Sequence, residues 1–264
     1  MPAADANCAP HSHTLGGGTL DTVDGVKLNL VSTPTAANKP GQVKLTVTDK
    51  AGAPITSFSL AHGKQMHLIL VRDNLSDYLH LHPEVDADGV WSVDTTLPSA
   101  GTWRLVADVM IGDGPALNLG TTFSVKGTSP AFTLPAPVET VEVDGITLNF
   151  SGTISASEHG SLMITATDKA GKPVKLEQYL EANAHLVAVR TDGAYAHFHP
   201  HSMAAMNACP AGRMPIIDSG AADDANVGMM HFMTEVPGAG TYRLFLQFQT
   251  DGVLHTVGFT AIVS

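Results

Sequence analysis

Positive charge is scarce in this chain. Lys and Arg total 14 against 25 Asp and Glu, a formal charge of −11 over 264 residues. That balance argues against nucleic acid or an anionic membrane surface as a partner and is compatible with attracting cations. No apolar run approaches the ~18–20 residues that a bilayer-crossing helix needs, so no transmembrane segment is expected. Met1–His13 lacks the basic and apolar regions of a signal peptide. Cysteine is limited to Cys8 and Cys209, and without a C-x-x-C pair a cysteine zinc finger is excluded. The two thiols are either unrelated or joined in a disulfide that ties the N-terminal arm to a long loop of the second half, a bond that export would favour. The sequence does not give their distance. Also missing are the G-x-S-x-G elbow, H-E-x-x-H and the P-loop, so no enzyme is expected and no catalytic residue is assigned.

Histidine, by contrast, is abundant and patterned. Met66–Pro83 reads MHLILVRDNLSDYLHLHP, and Ala184–Pro200 repeats it as AHLVAVRTDGAYAHFHP. In each copy a histidine opens an apolar run ending in arginine, a polar turn follows, and an H-x-H-P motif closes the segment. Runs rich in Val, Ile and Leu around a short polar turn predict a β-hairpin. Residues i and i+2 of a strand share a face, so His80 and His82 project together, as do His197 and His199. The opening histidines, His67 and His185, lie near the far end of the partner strand. A one-residue slip in register would turn them to the other face. In the favourable register three imidazoles meet at one end of each hairpin, a donor set suited to Cu(II) or Zn(II). The competing reading is histidines that merely pack and hydrogen-bond at strand ends.

The duplication extends well beyond the hairpins. Asp24-Gly25 and Asp144-Gly145 open equivalent strands, and Asp49-Lys50-Ala51-Gly52 is repeated letter for letter at Asp168-Lys169-Ala170-Gly171. Leu162, Ile164 and Ala166 answer the alternating Val43, Leu45 and Val47, and Gly240–Leu244 answers Gly101–Leu105. Short strands punctuated by Asp-Gly, Pro and Gly predict an all-β protein of two tandem antiparallel β-sandwiches, Ig-like or cupredoxin-like, each of ~7 strands. The expected boundaries are a flexible arm over 1–19, the first repeat over 20–126, a linker over 127–137 and the second repeat over 138–264. Leu176–Ala182 and Ile55–Ala61 are candidates for a helical turn.

One insertion, about 202–228, breaks the symmetry. Six of the ten methionines fall between His201 and Pro237: Met203, Met206, Met214, Met229, Met230 and Met233. His201, His231 and Cys209 join them. Thioethers select soft Cu(I), although methionine also fills irregular apolar gaps. Met66 is a further candidate thioether. Asp108, matched by Gln247, is a candidate carboxylate ligand or a partner fixing a histidine tautomer. Arg72 and Arg190 read as structural. A blue-copper site is disfavoured, because no histidine lies between Cys209 and Met214 and the first repeat has no cysteine at all.

The segment MHLILVRDNLSDYLHLHPE, followed by DGVWSVDTTLPSAGTWRLVADV, resembles bacterial exported proteins described as heavy-metal- or copper-associated secreted proteins, whose domains are similar to small β-sandwiches of the FixH/YtkA type. The likeness covers Gly63–Met110 well and the second repeat less well, where Ala184 and His201 replace Met66 and Glu84. It implies export and metal handling. The resulting expectation is a non-enzymatic periplasmic or secreted protein, its signal peptide outside this chain, that sequesters or delivers copper, with zinc as the other candidate metal. A membrane metal transporter or another exported protein is the expected partner. The alternative is a tandem Ig-like structural or interaction module without metal.

Overall fold

The computed structural model describes residues 8–10, 15–156, 160–198, 213–215, 224 and 226–264. In chain order the strands are β1 (Cys8–Pro10), β2 (Thr22–Val23), β3 (Val26–Ser32), β4 (Pro40–Thr48), β5 (Met66–Arg72), β6 (Tyr78–Leu81), β7 (Glu84–Val85), β8 (Val90–Thr96), β9 (Gly101–Met110) and β10 (Ala116–Val125). The second half contributes β11 (Thr140–Val143), β12 (Ile146–Gly152), β13 (Gly160–Thr167), β14 (Ala184–Arg190), β15 (Tyr195–Phe198), β16 (Arg213–Pro215), β17 (Met229–Thr234), β18 (Gly240–Thr250) and β19 (Val253–Val263). The protein is all-β, with two repeated antiparallel domains.

The first repeat pairs a five-stranded sheet, β2-β3-β4-β8-β7, with a four-stranded sheet, β10-β9-β5-β6. The second has sheets β11-β12-β13-β17 and β15-β14-β18-β19. The Asp-Gly pairs set the hairpins. Asp24 and Gly25 (φ 49° and 79°), Asp144 and Gly145 (51° and 82°), and Asp251 and Gly252 (51° and 73°) all take the left-handed conformation. Two successive residues of that kind make the turn whose twist matches antiparallel strands. The registers Val23↔Val26, Val143↔Ile146 and Thr250↔Val253 close directly on these pairs. In the repeated DKAG turns the aspartate side chain caps the loop. Asp49 Oδ1 accepts from the amides of Ala51 and Ala53, and Asp168 Oδ1 from those of Ala170 and Lys172.

Each repeat has its own core. In the first, Leu45, Val47, Leu68, Leu70, Trp91, Trp103 and Leu105 lie in one buried cluster. In the second, Ile164, Ala166, Leu186, Met230, Tyr242 and Leu244 occupy equivalent places. Trp103 and its counterpart Tyr242 each satisfy a buried donor on a backbone carbonyl, at Ser99 (3.1 Å) and Gly238 (2.7 Å). The chain divides into two compact units, residues 13–134 with 189–195, and residues 1–12, 135–188 and 196–264.

Several expectations change here. Among the described residues of the arm, several are built into structure. Leu15 bridges Leu117, the Gly18 amide donates to the Asn118 carbonyl, and the Gly120 amide donates to the carbonyl of Leu20. Cys8–Pro10 pairs with Arg213–Pro215. Neither candidate helical turn forms. Residues 55–60 belong to no helix, and in Leu176–Ala182 the left-handed Leu180 and Glu181 fold Tyr179 back onto Ala182 in a short bridge. Met229, Met230, His231 and Met233 belong to β17, which pairs with β13 as β8 pairs with β4, and not to a loop.

Candidate metal centre

Strand β5 is buried on both faces. Met66, Leu68 and Leu70 point into the sandwich core, so His67, Ile69 and Val71 point the other way. The β5–β6 register sets Ile69 opposite His80 and Leu68 opposite Leu81. Continued by one step it sets His67 opposite His82, and all three histidines fall on one face. The ring nitrogens converge: His67 Nδ1 lies 2.9 Å from His80 Nε2, and His82 Nε2 lies 3.2 Å from the same atom. His67 and His80 are buried and His82 half-buried.

The His67 ring is held at its far side, where Nε2 lies 2.9 Å from the Ala61 carbonyl. An Nε2–H donated to that oxygen selects the tautomer whose Nδ1 lone pair faces the cluster, the support usual for a metal-ligating imidazole. Ligand nitrogens bound at ~2.0–2.1 Å to a tetrahedral ion stand about 3.3 Å apart. The separations of 2.9 and 3.2 Å are therefore close to those of a three-nitrogen site, and the residues fit such an ion.

Burial and nearby positive charge favour the neutral form of His67 and His82. Burial, then repulsion from His67 and from Lys64, pushes His82 down to about 3. Burial also lowers His67, with Lys64 adding to the effect and the Ala61 hydrogen bond opposing it. Neutral imidazole is the form that binds a metal. Asp108 stands directly across β9 from His67, and Asn118 across β10 from Asp108. Burial raises the Asp108 carboxyl to about 7. Asp108 is thus a neighbour in the row beside His67, and Asn118 Oδ1 is buried there without a hydrogen-bond partner among the described residues.

The second repeat carries the counterpart. His185 on β14 is fully buried, its Nε2 lies 3.0 Å from the Tyr179 carbonyl, and its ring centroid is 5.6 Å from that of His197 on β15. His199, His201, Met203, Met206 and Cys209 lie outside the described residues, and with them the Cys8–Cys209 pairing and the core of the 202–228 insertion. Met214 lies in β16, where only the backbone is described. Gln247, in place of Asp108, hydrogen-bonds Thr256 at 3.1 Å. Arg190 makes a bidentate pair with Asp192 (2.9 and 2.8 Å), which holds that carboxyl down to about 2.

Two candidate ligands are placed elsewhere. Met66 and Met230 are core residues, 1% and 0% exposed. Met66 lies on the face of β5 opposite His67, and Met230 takes the core place that Trp91 fills in the first repeat. One residue near the site escaped the sequence reading. His62, whose ring centroid is 6.4 Å from that of His67, sits in the Ala61–Lys64 turn in a left-handed conformation (φ 48°). It precedes the repeated hairpin motif and has no histidine at the matching place, Leu180, so the duplication does not mark it.

Comparison with known proteins places the repeats in a family. A model described as "Domain of unknown function (DUF8832)" matches residues 21–127 and again 141–264. The chain belongs to that family, with two copies of the domain. Comparison with curated proteins gives no match. Among solved structures the chain is similar to FdeC, an Escherichia coli adhesin (14% identity, TM-score 0.29, 92% of this chain and 65% of that one). It is also similar to a bacterial integrin-binding invasin (16%, 0.23, 89% and 39%) and to InvD of Yersinia pseudotuberculosis (13%, 0.27, 92% and 58%). The chain spans less than two thirds of the length of each of these three. At such scores the fold assignment rests on the chain's own sheets.

Proposed function

We propose that this member of the DUF8832 family is a non-enzymatic, extracytoplasmic metal-binding protein whose first repeat holds a Cu(II) or Zn(II) ion on His67, His80 and His82. The observation that carries the reading is the convergence of His67 Nδ1, His80 Nε2 and His82 Nε2, with the Ala61 carbonyl behind the first of them. Imidazole donors suit both ions, and copper is the tighter-binding of the two at a given nitrogen site. Three protein ligands leave a position open for water or for a ligand from a partner, which suits acceptance and release of an ion more than permanent structural fixation. An exported protein or a membrane metal transporter is the partner this role calls for. No helix of the described residues is long and apolar enough to cross a membrane.

A second reading has its own support. Both ring nitrogens of His67 are already engaged, by His80 and by Ala61. A tandem sandwich serving as a structural or interaction module could keep these histidines as a hydrogen-bonded cluster without metal. Titration of the full chain with Cu(II), Cu(I) and Zn(II) separates the two. Stoichiometric uptake that falls in His82→Ala supports the metal site, and no uptake of any of the three ions supports the module.

A further inference from the structure

We propose a second, chemically distinct site on the second repeat: a thioether-imidazole site for a soft monovalent ion, Cu(I), built by Met163, Met229, His231 and Met233. The β13–β17 register places Met163 opposite His231, Thr165 opposite Met229 and Ser161 opposite Met233. Met230, Phe232, Leu162 and Ile164 point into the core, so the alternate residues share the face turned away from it. Directly opposed side chains on an antiparallel pair have Cβ atoms about 4.5–5.5 Å apart, with diagonal neighbours at about 7–8 Å. Met163 faces the His231 imidazole directly, and Met229 and Met233 flank His231 two residues to either side on its own strand, so three flexible thioethers surround the imidazole.

The first repeat is an internal control. Its equivalent face carries Lys44 opposite Ser92 and Gln42 opposite Asp94, the last two joined by a 3.0 Å hydrogen bond. That is an ordinary solvated sheet face. In the second repeat Lys44 becomes Met163, Ser92 becomes His231 and Asp94 becomes Met233, while Val90 becomes Met229. Three polar positions have thus become two thioethers and an imidazole, and an aliphatic one has become a third thioether. The methionines remain partly exposed and reachable by an ion. The Ser161 hydroxyl lies 2.7 Å from His231 Nε2 and fixes the ring in the way that residues behind a metal ligand do. Thioether sulfur selects Cu(I), whereas divalent zinc prefers imidazole, thiolate and carboxylate. This site therefore differs from the His67 cluster in ion as well as in place.

The test uses the full chain with His80→Ala, which disables the first cluster, and Ag(I) as a soft, redox-inert probe beside Cu(I). The triple variant Met163→Leu/Met229→Leu/Met233→Leu keeps apolar bulk and removes only sulfur. Affinity for Ag(I) and Cu(I) should fall by at least the roughly 10–100-fold that loss of a supporting residue costs a metal site. In the unsubstituted chain the methyl carbon resonances of Met163, Met229 and Met233 should shift on addition of Ag(I), a readout that needs no variant to fold. Unchanged affinity in the triple variant, or unmoved methyl resonances, overturns the proposal. Failure of Zn(II) or Cu(II) binding at the His67 cluster leaves these readouts unaffected.

Discussion

His80 is the vertex of the cluster, its Nε2 being the atom that both His67 Nδ1 and His82 Nε2 approach. Replacing it with Ala removes one of three ligands and the nitrogen that both others approach. A ligand that binds only the folded state stabilises it by about 2.7 kcal/mol when its free concentration is 100 times Kd. For a domain of roughly 100 residues each kcal/mol moves Tm by about 4–8 °C. Zn(II) at that excess should therefore raise the melting transition of the first repeat by on the order of 10 °C. In His80→Ala the increment should vanish. The metal-free variant should itself be weaker by about 1–3 kcal/mol, since His80 is buried and the His67 nitrogen facing it loses its neighbour. Differential scanning fluorimetry with and without Zn(II), after treatment with a chelator, measures both quantities. An undiminished Zn(II) increment in His80→Ala would show that the ion sits elsewhere and refute the assignment.

The pH response of the metal-free protein should have two opposing limbs. His82 is depressed to about 3 from 6.5, so its contribution to stability is present above 6.5 and lost as pH falls toward 3. Asp108 is raised to about 7 from 3.8, so its contribution is present below 3.8 and lost as pH rises toward 7. Urea midpoints between pH 4 and 7 should fall on acidification in Asp108→Asn and rise on acidification in His82→Gln; identical profiles for the two would contradict the assignment. Met230→Ala should cost about 2–5 kcal/mol as a core truncation, whereas Met233→Ala on the opposite face should cost far less. Equal losses in urea denaturation would contradict the division of β17 into two faces.

The sequence carried the hairpin histidines clearly because two constraints coincide there. The H-x-H spacing alone puts two imidazoles on one face, and the duplication separates a repeated pattern from chance. Register was beyond it: whether His67 joins His80 or turns into the core depends on pairing with β6, and β5 is buried on both faces, so no polar alternation marks its sides. The same lack of alternation let Met66 look like a ligand beside His67. Met163 gave no signal by itself, being one methionine in an alternating strand. Its meaning comes from the cross-strand partner, which lies far along the chain and on the far side of the 202–228 insertion. The methionines of Met229–Met233 likewise hid the correspondence of this strand with Val90–Asp94. Aligned through Gly240–Leu244, however, the two strands match position by position.

Whether His67, His80 and His82 act together on one ion is read most directly at the imidazole nitrogens themselves. Long-range 1H–15N correlation spectra of the chain, recorded before and after one equivalent of Zn(II), distinguish Nδ1 from Nε2 in each ring. Metal-induced shifts are expected at Nδ1 of His67 and Nε2 of His80 and His82, with the His67 Nε2 proton retained toward the Ala61 carbonyl. Ring nitrogens of all three histidines unmoved by Zn(II) would contradict it.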